Sequence, residues 1–112
     1  MSKSIMASES CPMETGINIL SGKWNLIILW KLYLHQVVRF NELQRQVGNI
    51  TTKTLTQQLR ALEKQKIIKR TIYLENPPHV TYSLTELGSE LAPVLQALCT
   101  FGKQYHQSQT KG

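Results

Sequence analysis

A chain of 112 residues with a formal charge of +6 suits one domain and is too short for two of ordinary size. Its hydrophobic fraction of 41% is that of a folded protein, not a disordered one. All seven acidic residues are glutamates, and there is no phosphate-cradling glycine-rich loop, so an enzyme is not expected.

The start, MSKSIMASESCPME, lacks the apolar run of a secretory signal. The greasiest stretch, WNLIILWKLYL, is broken by Lys31 and falls short of the ~20 residues a bilayer needs. Cys11 and Cys99 show no framework spacing, which fits a reducing cytoplasm. His35, His79 and His106 are scattered, so neither a metal nor a cofactor is expected.

Residues 1–10 read as a flexible arm, 11–106 as the folded domain and 107–112 as a flexible tail. Pro12 favours a first helical position, and Met13, Ile17 and Leu20 follow at helical spacing until Gly22. A second helix opens near Lys23–Trp24 and carries Leu26, Ile27, Trp30, Leu32 and Leu34. It is apolar around much of its circumference, as a core helix should be. Val37, Val38 and Arg39 suit a short strand. Asn41 then serves as an N-cap, with Gln44 as its capping-box partner, for a helix that packs through Leu43 and Val47 and stops at Gly48–Asn49.

Thr51 is the next N-cap, and Leu55, Leu59 and Leu62 form the inward stripe of the helix it opens. From Ile68 the period becomes two: Ile68, Arg70, Ile72 and Leu74 alternate with Lys69, Thr71, Tyr73 and Glu75. Asn76–Pro77–Pro78 turns the chain, and His79 to Leu84 returns as the second strand of a hairpin. Thr85 caps a last long helix bent by Pro93. Its apolar residues Leu87, Leu91, Val94, Leu98, Phe101 and Tyr105 alternate spacings of four and three, a seam for pairing two helices. The expected fold is mainly α with a small β-hairpin, a winged helix-turn-helix.

Eight of the 13 basic residues lie between positions 39 and 70: Arg39, Arg45, Lys53, Arg60, Lys64, Lys66, Lys69 and Arg70. Only Glu42 and Glu63 oppose them there. Such a band is the footprint of a polyanion-binding surface. With the leucines of the 52–64 helix inward, Thr52, Lys53, Thr56, Gln57, Arg60 and Lys64 face outward. Gln suits an adenine edge, Arg a guanine, and Thr a phosphate or a thymine methyl. We therefore assign Thr52, Lys53, Thr56, Gln57 and Arg60 to base or groove contact, and Arg39, Lys64, Lys69, Arg70 and His79 to phosphate contact. The wing tip is poor in charge, which makes His79 the weakest of these. The alternative is a winged-helix module that binds protein instead of DNA.

The run from Cys11 to Gly102 resembles the HxlR-type regulators, relatives of the MarR group. The matching residues are Cys11–Pro12, Gly22–Lys23–Trp24, Arg39–Phe40–Asn41–Glu42–Leu43 and Leu55–Thr56–Gln57–Gln58–Leu59. Arg70, Pro77–Pro78, Tyr82–Ser83–Leu84–Thr85 and Gly88 complete the pattern. The resemblance implies a cytoplasmic transcription regulator, more often a repressor, that binds a palindromic operator in double-stranded DNA. It implies a homodimer joined by the first and last helices, and packing roles for Trp24 and Phe40. The wing departs from the family's usual Arg and acidic residue, having His79 and Thr81 instead.

Helix N-termini favour thiolates, and some regulators of this type sense oxidants or electrophiles through a cysteine placed as Cys11 is. The resemblance thus makes Cys11 a candidate sensor; the alternative is a small residue packed at the interface. Cys99, beside Leu98 on the seam, suits a structural role. A bridge between Cys11 of one subunit and Cys99 of the other would require Cα atoms within ~7 Å. The effector, whether small molecule or oxidant, is not legible.

Overall fold

The computed structural model describes residues 11–111; the arm expected over 1–10 lies outside them. The chain runs α1 (Pro12–Leu20), α2 (Asn25–His35), β1 (Val38–Arg39), α3 (Phe40–Val47), α4 (Thr52–Lys64), β2 (Ile68–Tyr73), β3 (His79–Leu84), α5 (Glu86–Ser89) and α6 (Ala92–Lys111). The helix-turn-helix and hairpin expected from the sequence are both present, and the class is a winged helix-turn-helix.

Leucine and isoleucine from four helices and the sheet make one core. Ile28, Leu29 and Leu32 of α2 meet Leu43 of α3, Leu55, Leu59 and Leu62 of α4, Ile68 of β2 and Leu95 of α6. Trp24 and Phe40 pack against this core. Leu34, expected inside, is exposed, because the core-facing stripe of α2 ends at Leu32.

The three strands are antiparallel in the order β1-β3-β2. Val38 pairs with Tyr82, which pairs with Arg70; Arg39 pairs with Thr81, which pairs with Thr71. Cross-strand partners share a face. One face therefore carries Val38, Arg70 and Tyr82, and the other Arg39, Thr71 and Thr81.

α1 stops at Leu20, ahead of Gly22 as expected, and the buried Asn25 side chain closes its end: Nδ2 donates to the carbonyls of Ile19 (3.1 Å) and Ser21 (2.7 Å). Gly22, at φ +109°, lies in the turn beyond. Other helix ends differ from expectation. Asn41 is not the cap of α3. Arg39 holds that position in extended backbone, since β1 leads straight into the helix, and no side chain caps it. The last helix is two. Thr85 caps the four-residue α5, a turn follows at Glu90–Leu91, and α6 starts at Ala92. Pro93 thus falls in the first turn of a helix, where its missing N–H costs nothing, and bends no continuous one. α6 runs to Lys111, past position 106 where the sequence reading ended the folded domain.

Candidate nucleic-acid interface

The turn between α3 and α4 is fixed by side chains at both its ends. Gly48, at φ +104°, takes a backbone conformation that L side chains rarely adopt. Ile50 is buried beneath the turn. Gln44 is not a capping-box partner; it reaches forward across the turn, its Nε2 donating to the Ile50 carbonyl (3.1 Å) and to Thr52 Oγ1 (3.2 Å). Thr51 caps α4 as expected, its Oγ1 accepting from the Thr54 backbone N–H at 3.1 Å.

Thus held, α4 buries one face and offers the other. Leu55, Leu59 and Leu62 are 0, 2 and 0% exposed. Thr52, Lys53, Gln57, Arg60 and Lys64 are exposed, and Thr56 is half-buried. All eight basic residues of the 39–70 band are exposed. Arg45 pairs with Glu42 on its own helix.

The phosphate candidates separate by sheet face. Arg70 joins Arg60 and Thr56 around a recess of about 390 Å³ between α4 and the sheet, floored by Phe40 and Tyr82, with Glu63 at its edge. Arg39 and His79 border a second recess, of about 490 Å³, between the start of α3 and the wing tip, where Asn41 and Arg45 also lie. The His79 ring stacks on Tyr73 with centroids 4.6 Å apart. Lys69 shares a sheet face with Arg39 and His79, not with Arg70. It borders a recess with Leu32, Tyr33, Gln36 and Ser83, on the opposite sheet face from Arg70. The strand's period of two carries that signal, because neighbours along a strand point to opposite faces. Asn41 and Arg45 were missed as site candidates. Their four-residue spacing on an amphipathic α3, inside the basic band, could have found them.

The candidate sensor and seam lie away from this surface. Cys11 is an exposed free thiol at the N-cap of α1, making no side-chain capping bond. Cys99 is a half-buried free thiol in an apolar groove of about 370 Å³ lined by Lys23, Leu26, Ile27, Trp30, Leu95 and Leu98. On α6, Val94, Leu98, Phe101 and Tyr105 are exposed, as are Met13 and Ile17 on α1. Among the described residues, no group of three or more His, Cys, Asp or Glu could hold a metal. Nor is any helix of theirs long and apolar enough to cross a membrane.

A buried-leucine helix following a tight turn, an outward polar face, a basic surround and a hairpin wing define a helix-turn-helix regulator. Residues 19–110 match the HxlR-like helix-turn-helix family, and the chain belongs to it. It is 42% identical over 94 residues to the HTH-type transcriptional regulator BH0655 of Halalkalibacterium halodurans, covering 84% of this chain and 83% of that one. A structure described as a MarR-family transcriptional regulator from Porphyromonas gingivalis superposes with a TM-score of 0.79 at 34% identity, over 89% of this chain and 97% of that one. The redox regulator HypR is similar in two states. Its reduced form gives a TM-score of 0.81 at 34% identity, over 91% of this chain and all (100%) of that one. The oxidized form gives 0.78 at 38%, over 84% and 96%. The chain is a transcriptional regulator and not an enzyme.

Proposed function

We propose that this regulator is a cytoplasmic homodimer that represses transcription by occupying a palindromic operator, each subunit placing α4 in a major groove. The observation that carries this reading is the division of α4. Three buried leucines fix its orientation, and its free face offers Thr52, Lys53, Gln57 and Arg60 within a band of exposed cations. The N-terminal turn of such a helix lies nearest the bases. Thr52, Lys53, Thr56 and Gln57 therefore read base edges or adjacent phosphates, with Arg60 further along the groove. Arg39, Lys64, Lys69, Arg70 and His79 hold phosphates on either side, joined by Asn41 and Arg45 of α3.

Dimerisation rests on the apolar rows of α1 and α6. Their exposed side chains would be covered by the same surfaces of a second subunit. Cys11 is the candidate oxidant or electrophile sensor, supported by its exposed thiol at a helix start and by the likeness to a redox regulator solved in two redox forms. If so, Cys11→Ser abolishes oxidant-induced loss of DNA binding; unchanged oxidant sensitivity would remove Cys11 from the mechanism.

The test of the main reading is fluorescence anisotropy against the DNA upstream of the protein's own gene and against a scrambled duplex, across a salt series. Tight binding to the first alone establishes sequence reading, and the salt slope counts phosphate contacts. Equal, steeply salt-dependent binding to both shows non-specific affinity and directs the search to other promoters. No binding to either by reduced dimer at low salt transfers the function to protein recognition.

A further inference from the structure

The end of α4 and the short α5 that leads into α6 are joined by a compact clasp that neither DNA contact nor dimer contact accounts for. α4 closes with the Ile67 N–H donating to the Leu62 carbonyl (3.0 Å) and the Lys66 N–H to that of Glu63 (2.9 Å). This is a closure that ordinarily places glycine in the left-handed position. Here Lys66 occupies it, at φ +65°. A strained residue persists where its surroundings over-determine it, and the surroundings here come from nineteen residues away. Thr85 Oγ1 donates to the Lys66 carbonyl at 2.7 Å, with Ile67 O 3.1 Å away. The Thr85 N–H donates to the Ile67 carbonyl at 3.0 Å.

The other side of the clasp is equally tight. The Gly88 N–H donates to Thr85 Oγ1 at 3.0 Å. A Cβ at Gly88 would lie 2.1 Å from the Ile67 carbonyl oxygen, so no other residue fits without the joint opening. From Gly88, helical hydrogen bonds lead into α6: Leu91 N–H to Gly88 O and Leu95 N–H to Leu91 O, both 3.0 Å.

We infer that Thr85 and Gly88 are positioning residues for operator recognition. Their contacts with Lys66 and Ile67 set the angle between α4 and α6, and thereby the half-site spacing the dimer accepts. This rests on the reading of the protein as a DNA-binding dimer. One added base pair moves a half-site by about 3.4 Å and turns it by about 35°. A stiff joint refuses that displacement and a loose one follows it.

The experiment uses full-length dimer and duplexes carrying half-sites selected by wild-type protein from a random pool. The centre is lengthened or shortened by one and by two base pairs, and a single half-site duplex serves as reference. The wild type is expected to favour one spacing by about tenfold or more, and Thr85→Val to narrow that preference to within about threefold, the effect of one lost hydrogen bond at a joint. Single half-site affinity stays unchanged, and Thr85→Ser, which keeps the hydroxyl, restores the preference. Gly88→Ala shifts the preferred spacing where it folds, and Thr85→Val carries the test where it does not.

A Thr85→Val profile parallel to wild type, weakened equally at every spacing or not at all, overturns the inference and leaves the dimeric regulator standing. A wild type that binds paired half-sites no better than single ones overturns both.

Discussion

α4 and α6 share one sequence pattern, apolar residues at spacings of four and three, and meet opposite fates. On α4 the stripe Leu55, Leu59, Leu62 is buried by α2, α3 and the sheet. On α6, Leu95 is buried, while Leu98, Phe101 and Tyr105 are 48, 64 and 54% exposed. An amphipathic helix gains its stability by covering its apolar face. α4 does so within its own chain, which frees its polar face for DNA. α6 leaves most of its row uncovered within its own chain.

The comparison breaks most readily at α4. Leu59→Ala should cost about 2–5 kcal/mol of folding stability in urea or thermal unfolding, because Leu59 is fully packed. A loss of that size from Phe101→Ala in isolated subunits would mean that α6 packs like α4.

On α6 the decisive change is Phe101→Asp. It should weaken self-association by about 2 kcal/mol or more, the scale of a buried aromatic anchor, and light scattering should show the dimer mass falling towards the monomer. A mass unchanged from wild type at micromolar concentration would mean that the seam joins nothing. Arg60→Ala, on the polar face of α4, should cost about 1–3 kcal/mol in operator affinity and relax preference at one base position. A uniform loss across all sequences, with a salt slope reduced by about one, would reassign Arg60 to phosphate.

Smaller effects sharpen the same contrast. Thr51→Ala removes a bond to the Thr54 N–H and should cost about 1 kcal/mol of stability by chemical denaturation. His79→Ala, at a wing tip without a strong cation, should change DNA affinity at neutral pH by less than about 0.5 kcal/mol. A larger loss would move the wing into the main interface.

What could be read in the sequence was local. The leucine stripe of α4, its Thr51 cap, the period-two wing and the basic band announce themselves within a few residues, since caps and amphipathic periods act over a turn or a strand. Asn41 misled because a cap depends on where the preceding segment goes, and here β1 runs directly into α3. Charge alone groups Lys69 with Arg70, while strand position puts it on the opposite face, with Arg39 and His79. The long last helix misled because the chain turns at Glu90–Leu91, so that Thr85 caps only the four-residue α5.

The sequence by itself determined the kinds of element, their order, the polar face of α4 and the surplus of positive charge over it. Those properties follow from side-chain period and composition. Tertiary structure alone decided that β1 joins the sheet through β3, that Gln44 ties the turn, that Thr85 and Gly88 lock the end of α4, and that the seam of α6 stays uncovered. Each of these depends on which distant groups meet, and only the packed core brings them within reach.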